Sequence, residues 1–220
     1  MFVNQRGLLK TGWEESTTGE IASWVSQYGS LTFNLIGYQM VWAGMNEAGL
    51  MLNALELPEN IAPPADHRPP LVNVFWLQYL LDNYASVNEV ISSEEQVRLS
   101  TLTGRDAGHY LVCDRHGDCA VIEFLEGEMV VYTGEELPVA ALANSTYQDS
   151  VKSWRNYVAL NTSLERFGIA ADRLKSYVTG EGRQRWNTPS RPWLKSLPRT
   201  GPNGAWSSPP ITGAFISTPN

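Results

Sequence analysis

The chain has 220 residues, 43 % of them hydrophobic and 18 % charged, which suffices for one sizeable core and is ordinary for a globular domain. A formal net charge of −7 leaves no basic field to neutralise phosphates, so neither nucleic acid nor an anionic membrane surface is an expected partner. Two cysteines, Cys113 and Cys119, make no disulfide framework for a chain of this size; the core must carry the stability, and the redox compartment stays open. No apolar run reaches the length of a membrane span, and the first residues do not form a signal peptide. Cytoplasmic is the default localisation, periplasmic if a signal lies upstream.

Phe2 and Val3 read as the middle of a strand closed by the turn "NQRG". From Ser30, "SLTFNLIGYQMVWAGMNEAGLMLNALELP" gives apolar stretches punctuated by Gly37, Gly44 and Gly49, predicting short strands joined by tight turns. Pro69 and Pro70 precede "LVNVFWLQYLLDNY", where Leu71, Val74, Leu77, Leu81 and Tyr84 recur at helical spacing and predict a helix buried on one broad face. Ser86 with Glu89 makes a capping box for a second helix through Val90 and Ile91. "HYLVCDRHGDCAVIEFLEGEMVVYTG", from His109, predicts an antiparallel meander with turns at Asp114–Asp118 and Glu126-Gly127. "LPVAALANSTYQ" predicts a strand ending at Asn144, after which Ser145 with Gln148 caps a helix carrying Val151, Trp154 and Val158. Thr162 with Glu165 caps another, with Leu164, Phe167, Ala171, Leu174 and Val178 on one face. Strands and helices in this order argue an α+β layered domain over 1–178. Residues 179–220, with prolines scattered among Gly, Ser and Thr, predict a disordered tail.

Cys113 and Cys119 flank a turn holding His116, with His109 upstream, so a thiol nucleophile or a metal site comes into view. A "C-x5-C" spacing lacks the paired close ligands of a zinc signature, and free Cys is commonly a small buried hydrophobe. His67, between Asp66 and Arg68, reads as a solvated loop residue. There is no phosphate loop, Ser-centred elbow or paired helix histidines, and no metal or cofactor is expected.

A set of segments in fixed order carries more: "WVSQYGSLTFNLIG", "GMNEAGLMLNALELP", "FWLQYLLDNYASVNEVI", "HYLVCDRHGDCAVIEF", "LANSTYQ" and "SLERF". Together they resemble the choloylglycine hydrolase and penicillin V acylase family of linear amide hydrolases. The resemblance implies the αββα four-layer sandwich of the N-terminal nucleophile hydrolases, present in incomplete form. It implies hydrolysis of small N-acyl amides, such as conjugated bile salts or penicillin V, by an N-terminal cysteine whose own α-amino group takes the thiol proton. Homo-oligomers, as in the family, stay open. Asn144, in "ANST", falls on the asparagine whose amide donates to the oxyanion. Judged without the resemblance it would be a strand-end residue capping the next helix. Arg166, in "SLERF", falls on the arginine near the nucleophile. Glu56 falls where the family often carries an Asn or Tyr that helps build the oxyanion pocket, a role a carboxylate fills only when protonated.

The family's opening cysteine strand and its "G-R-N-x-D-W" segment would precede "FVNQRG", so the chain as written is expected to lack the nucleophile and its supporting Arg and Asp, and to be inactive. Back-translating the tail and reading one base earlier yields a string containing "TQWS", like the family's ending; a frameshift between about Val178 and Asn187 is the corresponding expectation. Two alternatives stand beside this reading. One is a non-catalytic protein keeping an acyl pocket between the glycine-rich strands and the helix from Leu71. The other is a thiol hydrolase using Cys113 with His109.

Overall fold

The computed structural model describes residues 1–35, 37, 40–101, 108–156 and 162–178. The tail expected over 179–220 lies outside the described residues, as does Val158. In the first third, β1 (Phe2–Asn4), the hairpin β2 (Leu9–Glu15) and β3 (Ile21–Val25), β4 (Ser30–Asn34), β5 (Val41–Asn46) and β6 (Met51–Glu56) follow one another. Then come β7 (Pro70–Val72), α1 (Asn73–Asn83), α2 (Val87–Ser92), β8 (Arg98–Ser100), β9 (Gly108–Cys113), β10 (Cys119–Leu125), β11 (Glu128–Thr133), α3 (Tyr147–Asn156) and α4 (Ser163–Val178).

Seven of these strands form one antiparallel sheet in the order β1-β4-β5-β6-β9-β10-β11. The expected meander from His109 is its β9–β10–β11 end. Glu126 and Gly127, with φ of 55° and 85°, make the two-residue turn between β10 and β11, whose positive φ values match the twist of the flanking strands. Gly49, at φ 92°, turns β5 into β6 beside Asn46, whose Oδ1 accepts from the Ala48 and Leu50 amides.

Gly44 makes no turn. It sits inside β5, where a Cβ would lie 2.8 Å from Leu81 Cδ1 and 2.9 Å from the Leu31 carbonyl, so its missing side chain admits α1 against the sheet. At Gly44 the helix thus meets directly the glycine-rich strands between which, with this helix, an acyl pocket is expected.

Helix α1 begins at Asn73. Pro70–Val72 instead forms β7, paired in parallel with β8, so the two prolines do not prime a first turn. The helix is buried along Asn73–Asp82, not on one face alone, because the sheet covers one side and the β2–β3 hairpin another. That all-round burial needs polar residues with fixed partners. Asp82, 0 % exposed, accepts from Lys10 Nζ at 2.8 and 3.0 Å, from Trp24 Nε1 at 2.7 Å and from Gln78 Nε2 at 2.8 Å. Its carbonyl accepts from the Gln27 and Tyr28 amides. One residue thus fastens the helix to the hairpin and to the loop before β4. The Ser86–Glu89 capping box opens α2 as expected.

On the opposite face of the sheet, α3 and α4 cover the β9–β11 end. Leu111, Val121, Tyr132, Tyr147, Trp154, Phe167 and Ala171 pack there as a second core cluster. The β1-β4-β5-β6 half of that face leaves Val3, Leu31, Phe33, Met45 and Met51 exposed. Among the described residues no helix is long and apolar enough to cross a membrane.

Candidate functional site

Residues 137–146 contain no strand; the segment predicted to end as a strand at Asn144 is irregular. Its backbone turns on itself, with Ala141 N–H donating to the Val139 carbonyl and Ser145 N–H to the Ala143 carbonyl, and these bonds replace a ladder. Helix α3 then starts one residue later than predicted. Thr146 is its cap: Thr146 Oγ1 accepts from Asp149 N–H at 3.2 Å and donates to the Asp149 carboxylate at 3.0 Å. Ser145 is diverted to Ser163, hydroxyl to hydroxyl, which ties the entry of α3 to the start of α4.

Asn144 is thereby released from capping, and all three residues singled out from the sequence meet at it. Its Nδ2 donates to the carbonyl of Glu56, the last residue of β6, at 3.0 Å, and its Oδ1 accepts from Arg166 Nη2 at 3.0 Å. Arg166 stands next to Phe167, whose fully buried ring anchors α4 in the second core cluster, so a rigid element aims the guanidinium. The two contacts fix which end of the amide is oxygen and which nitrogen. An Asn amide has two N–H donors; among the described residues one is spent on Glu56 and the second meets no acceptor. A cation on Oδ1 draws electron density from the amide and strengthens that donor. Both Asn144 and Arg166 are exposed, so a ligand has access. Glu56 takes part through its main chain; a carbonyl only accepts, so its contribution is to hold Asn144.

The cysteines are placed differently from expectation. Cys113 and Cys119 are opposed across β9 and β10 and joined as a disulfide. Neither is a free thiol or a small buried hydrophobe. The hydrolase built on Cys113 and His109 falls with this, because His109 is also turned elsewhere. His109 Nδ1 lies 2.9 Å from Glu123 Oε1 inside the α3–α4 layer, with both side chains fully buried. Glu123 was missed by the sequence reading. The available signal was the hairpin itself: counting outward from the Asp114–Asp118 turn puts Glu123 opposite His109, two polar residues on an otherwise apolar face. At the tip, Asp114 accepts from the Val87, His116 and Asp118 amides. Burial pushes its pKa up, but those amides outweigh it and the net shift is downward. Among the described residues no cluster of three or more His, Cys, Asp or Glu could hold a metal ion.

Comparison with known proteins gives these features a context. The family described as linear amide C–N hydrolases, choloylglycine hydrolase family, matches residues 3–186. Penicillin V acylase of Pectobacterium atrosepticum is 30 % identical over 167 residues, which is 68 % of this chain and 44 % of that protein. The structure of penicillin V acylase from Agrobacterium tumefaciens superposes with a TM-score of 0.63 at 29 % identity, covering 76 % of this chain and 53 % of that one. A variant of conjugated bile acid hydrolase from Clostridium perfringens superposes with a TM-score of 0.62 at 16 % identity, covering 82 % and 65 %, a likeness of fold. The chain spans less than half the length of the curated relative it matches.

Proposed function

Because the chain belongs to the choloylglycine hydrolase family of linear amide C–N hydrolases, we propose that Asn144, Arg166 and the Glu56 carbonyl form the oxyanion corner of a site that cleaves small N-acyl amides. The fold is that of the N-terminal nucleophile hydrolases. Penicillin V and conjugated bile acids, the compounds named in the relatives, are the substrate classes to try first. The observation that carries the reading is the Asn144 amide, oriented by Glu56 and Arg166 with one N–H unspent among the described residues.

In this reading a thiolate attacks the amide carbon, the carbonyl oxygen becomes an oxyanion that accepts from Asn144 Nδ2, and the C–N bond breaks as the amine leaves with a proton. Water then releases the acyl group from sulfur. Such a donor is worth about 3–4 kcal/mol in the barrier. Both cysteines of the 220 residues are spent on the disulfide, so the thiol is not supplied by these residues. These 220 residues are therefore expected to bind N-acyl amides without turning them over.

Thermal shift and calorimetry with penicillin V and glycocholate, run beside a turnover assay, test this. The expected result is saturable binding, no product, and affinity about 2- to 10-fold weaker in Asn144→Ala, the value of one neutral hydrogen bond. Equal affinity of the two proteins would refute contact between the Asn144 amide and the carbonyl of the bound amide. Product formation that survives Cys113→Ser with Cys119→Ser would refute the requirement for a thiol.

A second reading, a binding protein without catalysis, draws on a cavity of about 350 Å³ between α1 and the β2–β3 hairpin, lined by Lys10, Trp13, Trp24, Phe75 and Gln78. Three aromatic walls and a Lys10 ammonium already neutralised by Asp82 suit an apolar acyl or aryl group bearing an uncharged acceptor. Binding lost in Trp13→Ala and kept in Asn144→Ala favours it.

A further inference from the structure

We propose that Glu123, with His109 and Tyr147, positions Asn144 for its donor role, an inference that rests on the reading of Asn144 given above. His109 and Glu123 are each 0 % exposed within a layer otherwise made of Leu111, Val121, Tyr132 and Phe167. For stability alone an apolar pair of similar volume would serve as well or better, since desolvating two ionisable side chains costs what their contact returns. The pair is also incompletely satisfied: among the described residues, the buried His109 Nε2 and Glu123 Oε2 meet no hydrogen-bond partner. Such an arrangement calls for a role besides packing.

Its contacts lead to the site. Glu123 Oε1 accepts from the Tyr147 amide at 2.7 Å as well as from His109 Nδ1–H at 2.9 Å. With Glu123 as a carboxylate, Nδ1 faces an acceptor and carries the proton, which sets the tautomer. Tyr147 is the first residue of α3, three after Asn144, and its hydroxyl donates to the Val139 carbonyl at 2.7 Å. Segment 139–147 is thus closed at one residue: the Tyr147 amide is held by Glu123, and its hydroxyl holds the far end of the loop. Asn144 stands between them. The bonds from Asn144 to Glu56 and Arg166 are exposed, where water competes for them, whereas those to Glu123 and Val139 are buried. The buried set fixes where the loop runs, and the exposed set fixes which way the amide faces.

Glu123 and His109 are positioning residues in this scheme and touch no substrate. The test uses the ¹⁵N-labelled 220-residue chain and reads the side-chain order parameter of Asn144 Nδ2. The control is Asn46 Nδ2, which donates to the Leu81 and Tyr84 carbonyls on the far face of the sheet. In Glu123→Leu the Asn144 value is expected to fall from that of the unsubstituted chain into the flexible range, below about 0.6, while Asn46 stays unchanged. Glu123→Gln keeps an acceptor oxygen and is expected to restore the Asn144 value. Tyr147→Phe, which removes one hydroxyl and keeps the ring, gives a second route to the same loss if Glu123→Leu does not fold. An Asn144 value unchanged in Glu123→Leu, or in Tyr147→Phe where Glu123→Leu is unfolded, overturns the proposal, as does a loss shared equally by Asn46. The readout needs no ligand, so it fails or succeeds separately from the binding experiment on Asn144→Ala.

Discussion

Replacing Asp82 by Asn tests the junction between α1 and the β2–β3 hairpin. The substitution keeps shape and one acceptor but removes the charge opposite Lys10, whose side chain is only 18 % exposed, and it turns an NH₂ toward groups that are themselves donors. Breaking one half of a buried pair costs about 3–5 kcal/mol. Lys10 keeps some contact with water, which places the expected loss near the lower end, about 3 kcal/mol. For a domain of this size that corresponds to a fall in Tm of about 6–12 °C. Urea unfolding followed by tryptophan fluorescence and by far-UV circular dichroism gives the free energy, and coincident transitions justify reading it as two-state. Adding Lys10→Met removes the stranded cation, so the double variant should recover most of the loss. A single-variant loss below about 1 kcal/mol, or a double variant no more stable than the single, would refute the assignment of Asp82 as the junction. Lys10, Trp24 and Gln78 also line the cavity, so ligand binding there should weaken together with stability.

Gly44→Ala should destabilise by about 1–3 kcal/mol in the same assay, because its methyl would overlap Leu81 and the Leu31 carbonyl; a neutral result would show that α1 can shift off the sheet. Glu89 titrates below its usual 4.5 because the Ala85 amide donates to it, against the opposing effect of burial, with Ser86 adding further bonds. The folded chain therefore binds fewer protons than the unfolded one near that pH, so this stabilisation is present above about pH 4.5 and is lost as pH falls through the lower folded value. Glu89→Gln should flatten the pH dependence of stability below pH 4.5, and an unchanged slope would count against the capping box. Reduction of the Cys113–Cys119 bond, which spans 6 residues, should lower stability by about 2 kcal/mol, read as a Tm difference with and without reductant; no difference would place those thiols outside a bond.

Where local chemistry dominates, the sequence was legible. The meander from His109 and the Ser86 capping box depend on turn residues and a four-residue motif, and both formed as read. The αββα expectation and the gathering of Glu56, Asn144 and Arg166 came from the resemblance, since the three are far apart in sequence and no spacing rule links them. The errors have tertiary causes. Pro70 stands where a helix start is expected, but the Arg98 amide donates to the Pro69 carbonyl and Pro70–Val72 pairs with β8, so strand pairing took the residues before Asn73. Gly44 was read as a turn, because nothing local announces that Leu81 will approach it. Ser145 was read as a cap, yet Ser163 competes for its hydroxyl and the role passed to Thr146. Cys113 and Cys119 were read as separate although the hairpin register made them neighbours.

The pairing of β6 with β9 has a kinetic side. Glu56 meets Gly108 only after the chain between them, including all of α1, has been gathered into a loop. The β4–β5–β6 ladder and the β9–β10–β11 meander each form from near neighbours, whereas joining them requires closing that loop before its contacts can compensate for the lost entropy. Folding should therefore proceed through two quickly formed sheet halves and one slow docking step, with α1 ordered only at the docking. Until then, the edges of β6 and β9 stand open to other chains, so refolding yield should fall as protein concentration rises.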